Sequence, residues 1–236
     1  MTVRYLIKFT KESEIKFISH LDLLRTIEKV ISKSELDVTY SQGYHPRIIS
    51  SIAQPLSVGV YSSGDYLDLE MNTEVEEDEM IKKLNQASPL TMRFINATKL
   101  PETFNNKKVP QAMALIDGAK YEIKIKYDDT SKLIDEMKAL QEMNEWVTIK
   151  KTKKGEKEAD IKPFVKELEY STEGNILKVV AIISCGSREN LSADLLAKYI
   201  KSKTSSAIED SFIKIKRTEM YAYNGEKLVA LDKYFR

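Results

Sequence analysis

The sequence predicts an α+β fold with two consecutive ferredoxin-like (split βαβ) domains, antiparallel sheets with helices on one face. Residues 1–100 follow the order βαββαβ, because the apolar period changes between that of a strand and that of a helix along this stretch. Residues 119–236 follow the similar order βαβββαβ, with one strand more. Residues 101–118 carry two prolines around a polar middle, and we expect them to form a linker between the domains.

The elements of the first domain follow from local patterns. "VRYLIKFT" at residues 3–10 alternates as a half-buried strand, and Ser19 caps a helix in "SHLDLLRTIEKVISKS" with Asp22 in capping-box position. The stretch 38–61 is predicted as a strand interrupted near Gly43 to Pro46, which pairs with "GDYLDLEMN" after a turn at residues 62–64. A helix in "EVEEDEMIKKLNQAS" and a strand in "LTMRFINATKL" complete the domain.

The second domain is predicted in the same way. "AKYEIKIKYDD" alternates as a strand and "TSKLIDEMKALQEMN" is an amphipathic helix. "WVTIKK" and "EADIKPFVKELEYS" flank a turn rich in lysine and glycine, which favours a hairpin. An apolar strand "NILKVVAIISCG", a capped helix "SRENLSADLLAKYIKS" and a closing strand "DSFIKIKRTEMYAY" follow.

Composition limits the chemistry of the chain. A formal net charge of +1 indicates neither a nucleic-acid coat nor an acidic tail, so any basic surface is local. Cys185 is the only cysteine, which excludes intrachain disulfides and cysteine-rich zinc or iron–sulfur sites. The sequence also has no phosphate loop, HExxH helix or GxSxG elbow. We therefore expect a cytoplasmic protein with no metal, no cofactor, and neither a membrane nor DNA as a partner.

Both histidines of the chain lie in one short region, in "FISHLDLLR" and "SQGYHP". Their surroundings can exchange hydrogen bonds and bind phosphate, and the expected binding residues are Ser19, His20, Asp22, Arg25, Tyr40, Ser41, Gln42, Gly43, Tyr44, His45 and Arg47. His20 and His45 are also candidate catalytic residues, because imidazoles near neutral pKa can cleave RNA by general acid–base catalysis. The alternative is that they are ordinary capping and loop residues that are close in sequence.

A second local signal is the lysine cluster in "IKKTKKGEKEADIK". Lys150, Lys151, Lys153 and Lys154 precede a glycine and predict a positively charged hairpin tip that could contact an RNA backbone. The alternative is a solvated strand edge that resists aggregation.

The motifs "FISHLDLLRTIEK", "YSQGYHPR", "PLSVGV" and "GDYLDLEM" resemble the radical SAM-linked protein family, a domain found alone or joined to the C-terminal end of radical SAM enzymes. The resemblance covers about the first third of the chain. Its motif positions fall on Ser19, His20, Asp22, Arg25, Ser41, Gln42, Gly43, His45 and Pro46. The resemblance implies a bacterial setting, a radical SAM partner enzyme and a role in RNA processing or modification, such as tRNA modification.

Three functions remain open at this point. The leading hypothesis is a non-catalytic RNA-binding or substrate-presenting accessory protein for a radical SAM enzyme. The second is a metal-independent endoribonuclease that uses His20 and His45, since the element order also resembles CRISPR repeat-processing endoribonucleases. Residues 218–236 contain one glycine and lack the glycine-rich loop of those enzymes, which disfavours this hypothesis. The third is a small-molecule-binding domain, which an apolar pocket lined by Tyr40, Tyr44 and Tyr66 would favour over RNA binding.

Overall fold

The structure is a computed structural model that describes residues 2–104, 106–152 and 155–235, with only the backbone at residues 151 and 152. Its helices are α1 (His20–Lys33), α2 (Glu77–Ala87), α3 (Leu133–Glu142) and α4 (Ala193–Lys203). Its strands are β1 (Val3–Lys11), β2 (Ser50–Ile52), β3 (Val60–Met71), β4 (Phe94–Lys99), β5 (Thr103–Phe104), β6 (Lys107–Lys108), β7 (Gly118–Lys126), β8 (Val147–Thr152), β9 (Gly155–Asp160), β10 (Val165–Glu173), β11 (Ile176–Ser184), β12 (Lys214–Asn224) and β13 (Lys227–Ala230). The predicted α+β class is confirmed.

The chain divides into two compact units. Unit 1 comprises Met1–Asp117 and Arg217–Arg236, and unit 2 comprises Gly118–Lys216. The predicted domains place residues 217–236 with the second half of the chain, whereas in the structure these residues cluster with the first. Strand β12 lies beside β3 in the sheet, and the side chains of Arg217 and Glu219 in β12 bond to residues of β3.

The helices of unit 1 cover one face of its sheet. Its strands are ordered β2-β3-β1-β4, and each neighbouring pair is antiparallel. Apolar side chains of the sheet and of both helices form one core, which includes Tyr5, Ile7, Phe9, Leu23, Ile27, Ile31, Leu67, Leu69, Met80, Leu84 and Ala97. This burial of apolar surface fixes α1, and with it the start of the candidate site.

Strand β1 is covered on both faces, rather than half-buried as its alternation predicts. Leu6, which lies on the face opposite the core, is as buried as Tyr5 and Ile7. Short 3-10 turns at Ala112–Ala114 and Leu231–Lys233 contact this second face of the sheet. The difference arises because these turns come from distant parts of the sequence, which the local pattern of β1 cannot report.

The predicted strand over residues 38–61 is mostly irregular. Only β2 is a regular strand there, while Val38 and Tyr40 form isolated bridges. Strand β3 begins earlier than predicted and runs through the expected turn at residues 62–64. Gly64 lies inside this strand because a Cβ there would overlap the carbonyl oxygen of Thr218 in β12.

Unit 2 has its own antiparallel sheet, in the order β10-β11-β7. Its buried apolar residues include Ile123, Ile125, Leu133, Met137, Leu140, Trp146, Leu177, Val179, Leu196 and Ile200. Strands β8 and β9 form a separate two-stranded ribbon, so the predicted hairpin is present. Its second strand ends at Asp160 instead of extending to residue 171. Among the residues that the structure describes, no helix has the length and apolarity needed to cross a membrane.

Candidate functional site

A groove runs between α1 and the loop at residues 40–48, which we call the α1 groove. Its volume is about 540 Å³, and its lining residues are Leu21, Leu24, Arg25, Glu28, Ser32, Tyr40, Pro46, Arg47 and Ile48. All of them belong to unit 1. The fold thus brings the two histidine-containing motifs of the sequence to one surface.

The first turn of α1 forms one end of this surface. The hydroxyl of Ser19 accepts a hydrogen bond from the backbone N–H of Asp22 and donates one to its carboxylate, at 3.2 and 2.7 Å. Arg25 forms an ion pair with the same carboxylate at 3.2 Å. These bonds, above all the one from Ser19, lower the pKa of Asp22. The predicted N-cap is confirmed.

The opposite wall is a loop that is closed at its base. Ser41 and Arg47 bond through their backbones at 2.8 Å, and the Ser41 hydroxyl accepts the Arg47 N–H at 3.0 Å. At the tip, Gly43 has φ 134°, a conformation that side chains rarely adopt. Next to it Tyr44 is 94% exposed, and its ring meets that of His45 edge to face, with the ring centroids 5.0 Å apart.

The predicted site residues other than His20 occupy four places. Arg25, Tyr40 and Arg47 line the α1 groove. Ser19 and Asp22 cap the helix, and Ser41 closes the loop. Gln42, Gly43, Tyr44 and His45 form the exposed tip.

The two histidines have different environments. His20 is half-buried, and its Nδ1 atom is buried with no hydrogen-bond partner among the described residues. His45 is exposed beside Tyr44, and neither histidine lines the α1 groove.

Sequence reasoning missed part of the groove. Leu21, Leu24, Glu28, Ser32 and Ile48 line it but were not predicted, whereas Pro46 was named as a position of the family motif. The signal was present, because positions 21, 25, 28 and 32 recur at helical spacing along one face of α1. Leu21 is 61% exposed, which shows that this face of α1 does not pack into the hydrophobic core.

A buried lysine supports the approach to α1. Lys11 is 1% exposed, and its ammonium donates to the carbonyl oxygens of Lys16 and Ile18 at 3.0 and 3.5 Å. Burial is the main cause of a lowered pKa for Lys11, which Asp65 opposes and Arg217 reinforces. The residues just before the Ser19 cap are therefore held by a charge inside unit 1.

A polar network lies on the sheet face opposite the helices. The hydroxyl of Tyr66 donates to Glu219 at 2.6 Å, and Lys8 bonds to Glu219 and to Asp232. Burial and the nearby carboxylates raise the pKa of Tyr66 far above its ordinary value. Tyr66 is fully buried, so it does not line an open pocket together with the exposed Tyr40 and Tyr44.

A second cleft of unit 1, of about 720 Å³, lies beside Arg4 and residues 99–103. Arg4 bonds to Asp68 at 2.8 Å and to the carbonyl oxygens of Val109 and Pro110. Burial raises the pKa of Asp68, although the N–H of Ala112 and Arg4 both favour its charged form. The arginine is thus fully used in binding the segment that follows β6.

The lysine cluster falls on the β8–β9 ribbon. Lys150 donates to the carbonyl oxygen of Asn190 at 2.8 Å and lies 5.2 Å from the ring centroid of Phe164. Lys151 is described by its backbone only, and Lys153 and Lys154 lie outside the described residues. Within residues 2–104, 106–152 and 155–235, no group of three or more histidine, cysteine, aspartate or glutamate residues is arranged to hold a metal ion.

Comparisons with solved structures give weak similarities. A chain of a "Cbf5-Nop10-Gar1 Complex" matches at 12% identity and a TM-score of 0.47, with 92% of this chain and 48% of that chain covered. An "Unknown Protein from Galdieria sulphuraria" matches at 9% identity and a TM-score of 0.26, with 92% and 98% covered. A "putative glycine cleavage system transcriptional repressor" matches at 11% identity and 0.21, with 91% and 96% covered. Scores and identities this low support no argument about function.

Comparison with protein families identifies the family of this chain but not its function. This chain spans about half the length of the Cbf5-Nop10-Gar1 chain, and no curated protein matches its sequence significantly. Residues 4–193, well over half of the chain, match the family described as uncharacterized protein conserved in bacteria (DUF2344). The matched range includes α1 and the loop at residues 40–48, so the candidate site lies within it. The chain therefore belongs to the DUF2344 family of uncharacterized bacterial proteins.

Proposed function

We propose that this protein is a non-catalytic RNA-binding accessory protein, which presents RNA to a radical SAM enzyme in the bacterial cytoplasm. The observation that carries the proposal is the exposed tip of the 40–48 loop. Tyr44 is 94% exposed on a loop whose base is closed by hydrogen bonds between Ser41 and Arg47. An aromatic ring presented in this way can stack on an unpaired base at little entropic cost.

Positive charge near the ring supports the same proposal. The α1 groove beside the tip is lined by Arg25, which is paired with Asp22, and by Arg47, whose guanidinium can bind phosphate through a planar fork of donors. Lys16 adds a cation next to the exposed ring of Phe17, at 5.2 Å from its centroid. This local basic and aromatic surface fits RNA even though the net charge of the chain is only +1.

The fold is consistent with a binding module. We propose that unit 1 is a ferredoxin-like domain, since its strand order β2-β3-β1-β4 and two helices on one face are those of a split βαβ sheet. We propose the same arrangement for unit 2, from the antiparallel order β10-β11-β7 with α3 and α4. The radical SAM partner rests on the resemblance of the motifs around Ser19 and Ser41.

The endoribonuclease hypothesis has less support. General acid–base cleavage requires both imidazoles within reach of one phosphate. His20 is half-buried at the helix start, whereas His45 is exposed at the loop tip, and no described hydrogen bond or ring contact joins them. We therefore assign binding rather than cleavage to this surface.

The proposal is tested by RNA retention at low and high salt. Wild-type protein is expected to bind bacterial tRNA without cutting it, and Tyr44→Ala is expected to weaken binding on the order of tenfold, the loss of one stacked base. Phe212→Ala, which removes an exposed ring of unit 2, is the matched control and should bind as wild type. No retention of RNA at low salt would refute the proposal. If the wild type cleaves RNA and a His20→Ala, His45→Ala variant does not, the protein is an endoribonuclease instead.

A further inference from the structure

We infer that the α1 groove holds one unpaired nucleotide whose base carries an exocyclic amino group, namely cytosine, adenine or guanine rather than uracil. This inference rests on the proposed RNA binding and adds the class of nucleotide that the site selects. The feature that carries it is a pair of opposite charges that line the same groove without neutralising each other.

The groove has the size and the lining of a site for a flat aromatic ligand. Its volume of about 540 Å³ lies within the range of small-ligand clefts, roughly 300–1,000 Å³. Leu24 and Ile48 supply apolar lining, and Tyr40 is 48% exposed although it lines the cleft. A tyrosine ring that is half-exposed beside apolar side chains can cover the face of a base.

Arg47 supplies the contact to phosphate. Its backbone N–H and carbonyl are occupied by Ser41, which fixes where the side chain leaves the loop. Its guanidinium has no hydrogen bond or ion pair within the part of the chain that the structure describes. Arg25, in contrast, is already paired with Asp22. Arg47 is therefore the guanidinium of the groove that is available to a backbone phosphate.

Glu28 supplies the contact to the base. It lies on α1 between Leu24 and Ser32, on the same helix face, and lines the groove. Its carboxylate has no bonding partner among the described residues, while its backbone oxygen accepts the Ser32 hydroxyl. An ionised carboxylate only accepts hydrogen bonds, so it favours the amino group of cytosine, adenine or guanine. Uracil has no amino group, and its single N3–H lies between two carbonyl oxygens that a carboxylate repels.

The same chemistry requires a single strand. In a duplex, the amino group of cytosine, adenine or guanine is already bonded to its complement and both faces of the base are stacked. Only an unpaired base can place one face on Tyr40 and its amino group near Glu28. We therefore expect the groove to bind loops or single-stranded segments and not continuous duplex.

The test uses the full chain and three labelled RNA octamers of a single base each, rC8, rA8 and rU8. Fluorescence anisotropy should give rC8 and rA8 affinities higher than that of rU8 by on the order of tenfold, the discrimination of one polar base contact. Glu28→Gln should reduce this preference, because its amide can also donate to the uracil oxygen. Arg47→Gln should weaken all three octamers alike and lower the salt slope by about one.

Two charge-matched controls lie outside the groove. Glu142→Gln in α3 and Arg93→Gln before β4 remove the same charges from exposed positions, and both should bind as wild type. Equal affinity of wild type for the three octamers, or an unchanged base preference in Glu28→Gln, would overturn the inference while leaving RNA binding in place. Absence of binding to every RNA would instead end the proposed function, and the inference with it.

Discussion

At the scale of single residues, the most buried charges among the described residues are in unit 1. The side chains of Arg217 and Asp65 are each 1% exposed and pair at 2.8 Å. Arg217 also donates to the carbonyl oxygen of Gln54, and Ser62 donates to Asp65. Because the ions have been removed from water, each depends on the other for compensation.

Replacing one member of this pair should destabilise the protein strongly. Arg217→Met leaves the buried Asp65 carboxylate without its ion pair, and we expect the unfolding free energy to fall by about 3–5 kcal/mol. Urea unfolding of the full-length variant, compared with the wild type, measures the change. Lys214→Met, an exposed position earlier in β12, is the control and should stay within about 0.5 kcal/mol. Equal stability of the two variants would contradict the assignment of Arg217 as a required partner.

The hydrogen bonds at the N-cap of α1 predict a lowered titration midpoint for the Asp22 carboxyl. The Ser19 hydroxyl, followed by Arg25, holds the pKa of Asp22 below its ordinary value of 3.8. The folded state therefore favours the ionised carboxylate, and this stabilisation exists above the unfolded pKa and is lost as pH falls through the folded one. Carbon NMR of the Asp22 carboxyl should show a midpoint below 3.8, which Ser19→Ala moves upward. A midpoint that Ser19→Ala leaves unchanged would show that the serine does not set it.

At the scale of elements, strand β3 is defined by a neighbour that is distant in sequence. The residues from Ser62 to Gly64 have the composition of a turn, and the sequence predicts one there. In the structure β3 runs through them, because Thr218 of β12 approaches Gly64 too closely for a Cβ. The glycine therefore marks a close backbone contact and not a chain reversal.

This close contact can be tested by adding one methyl group. Gly64→Ala should cost about 3 kcal/mol of unfolding free energy or more, because the new Cβ overlaps backbone that cannot move freely. Gly118→Ala is the matched control, since the atoms nearest its Cβ would lie at an ordinary 3.5 Å. Thermal unfolding of the two variants compares them directly, and a tolerated Gly64→Ala would mean that β3 and β12 are not so close.

At the scale of the whole molecule, the chain leaves unit 1 and returns to it. The returning residues supply Arg217, Glu219 and Asp232, which bond to Asp65 and Lys8 of unit 1. The last segment of the sequence is thus part of the first folded unit, although it follows the second.

Removing the returning segment should therefore affect the beginning of the chain. A variant that ends at Lys216 loses the partners of Asp65 and Lys8, and we expect β1 and β3 to lose hydrogen-exchange protection. Mass spectrometry after exchange compares peptides from residues 3–11 and 60–71 with those of the full chain. Unchanged protection of both peptides would contradict the assignment of residues 217–236 to unit 1.

The candidate site was partly predictable. Ser19 as an N-cap, the exposed loop after Tyr40 and the positive φ of Gly43 all follow from residue types at short spacing. The groove itself does not, since Glu28 and Ile48 meet only after α1 packs on the sheet. The proximity of the two histidine motifs in sequence indicated the surface but not which side chains would share it.

The sequence by itself determined the α+β class, the alternation of strands with four helices and the cap of α1, because periodicity, capping and turn chemistry depend on neighbours a few residues apart. Only the tertiary structure decided that β1 is covered on both faces, that residues 217–236 complete unit 1, and that Glu28 and Arg47 line one groove. These three results depend on contacts between residues far apart in the chain, such as Asp65 with Arg217, whose local patterns contain no information about each other.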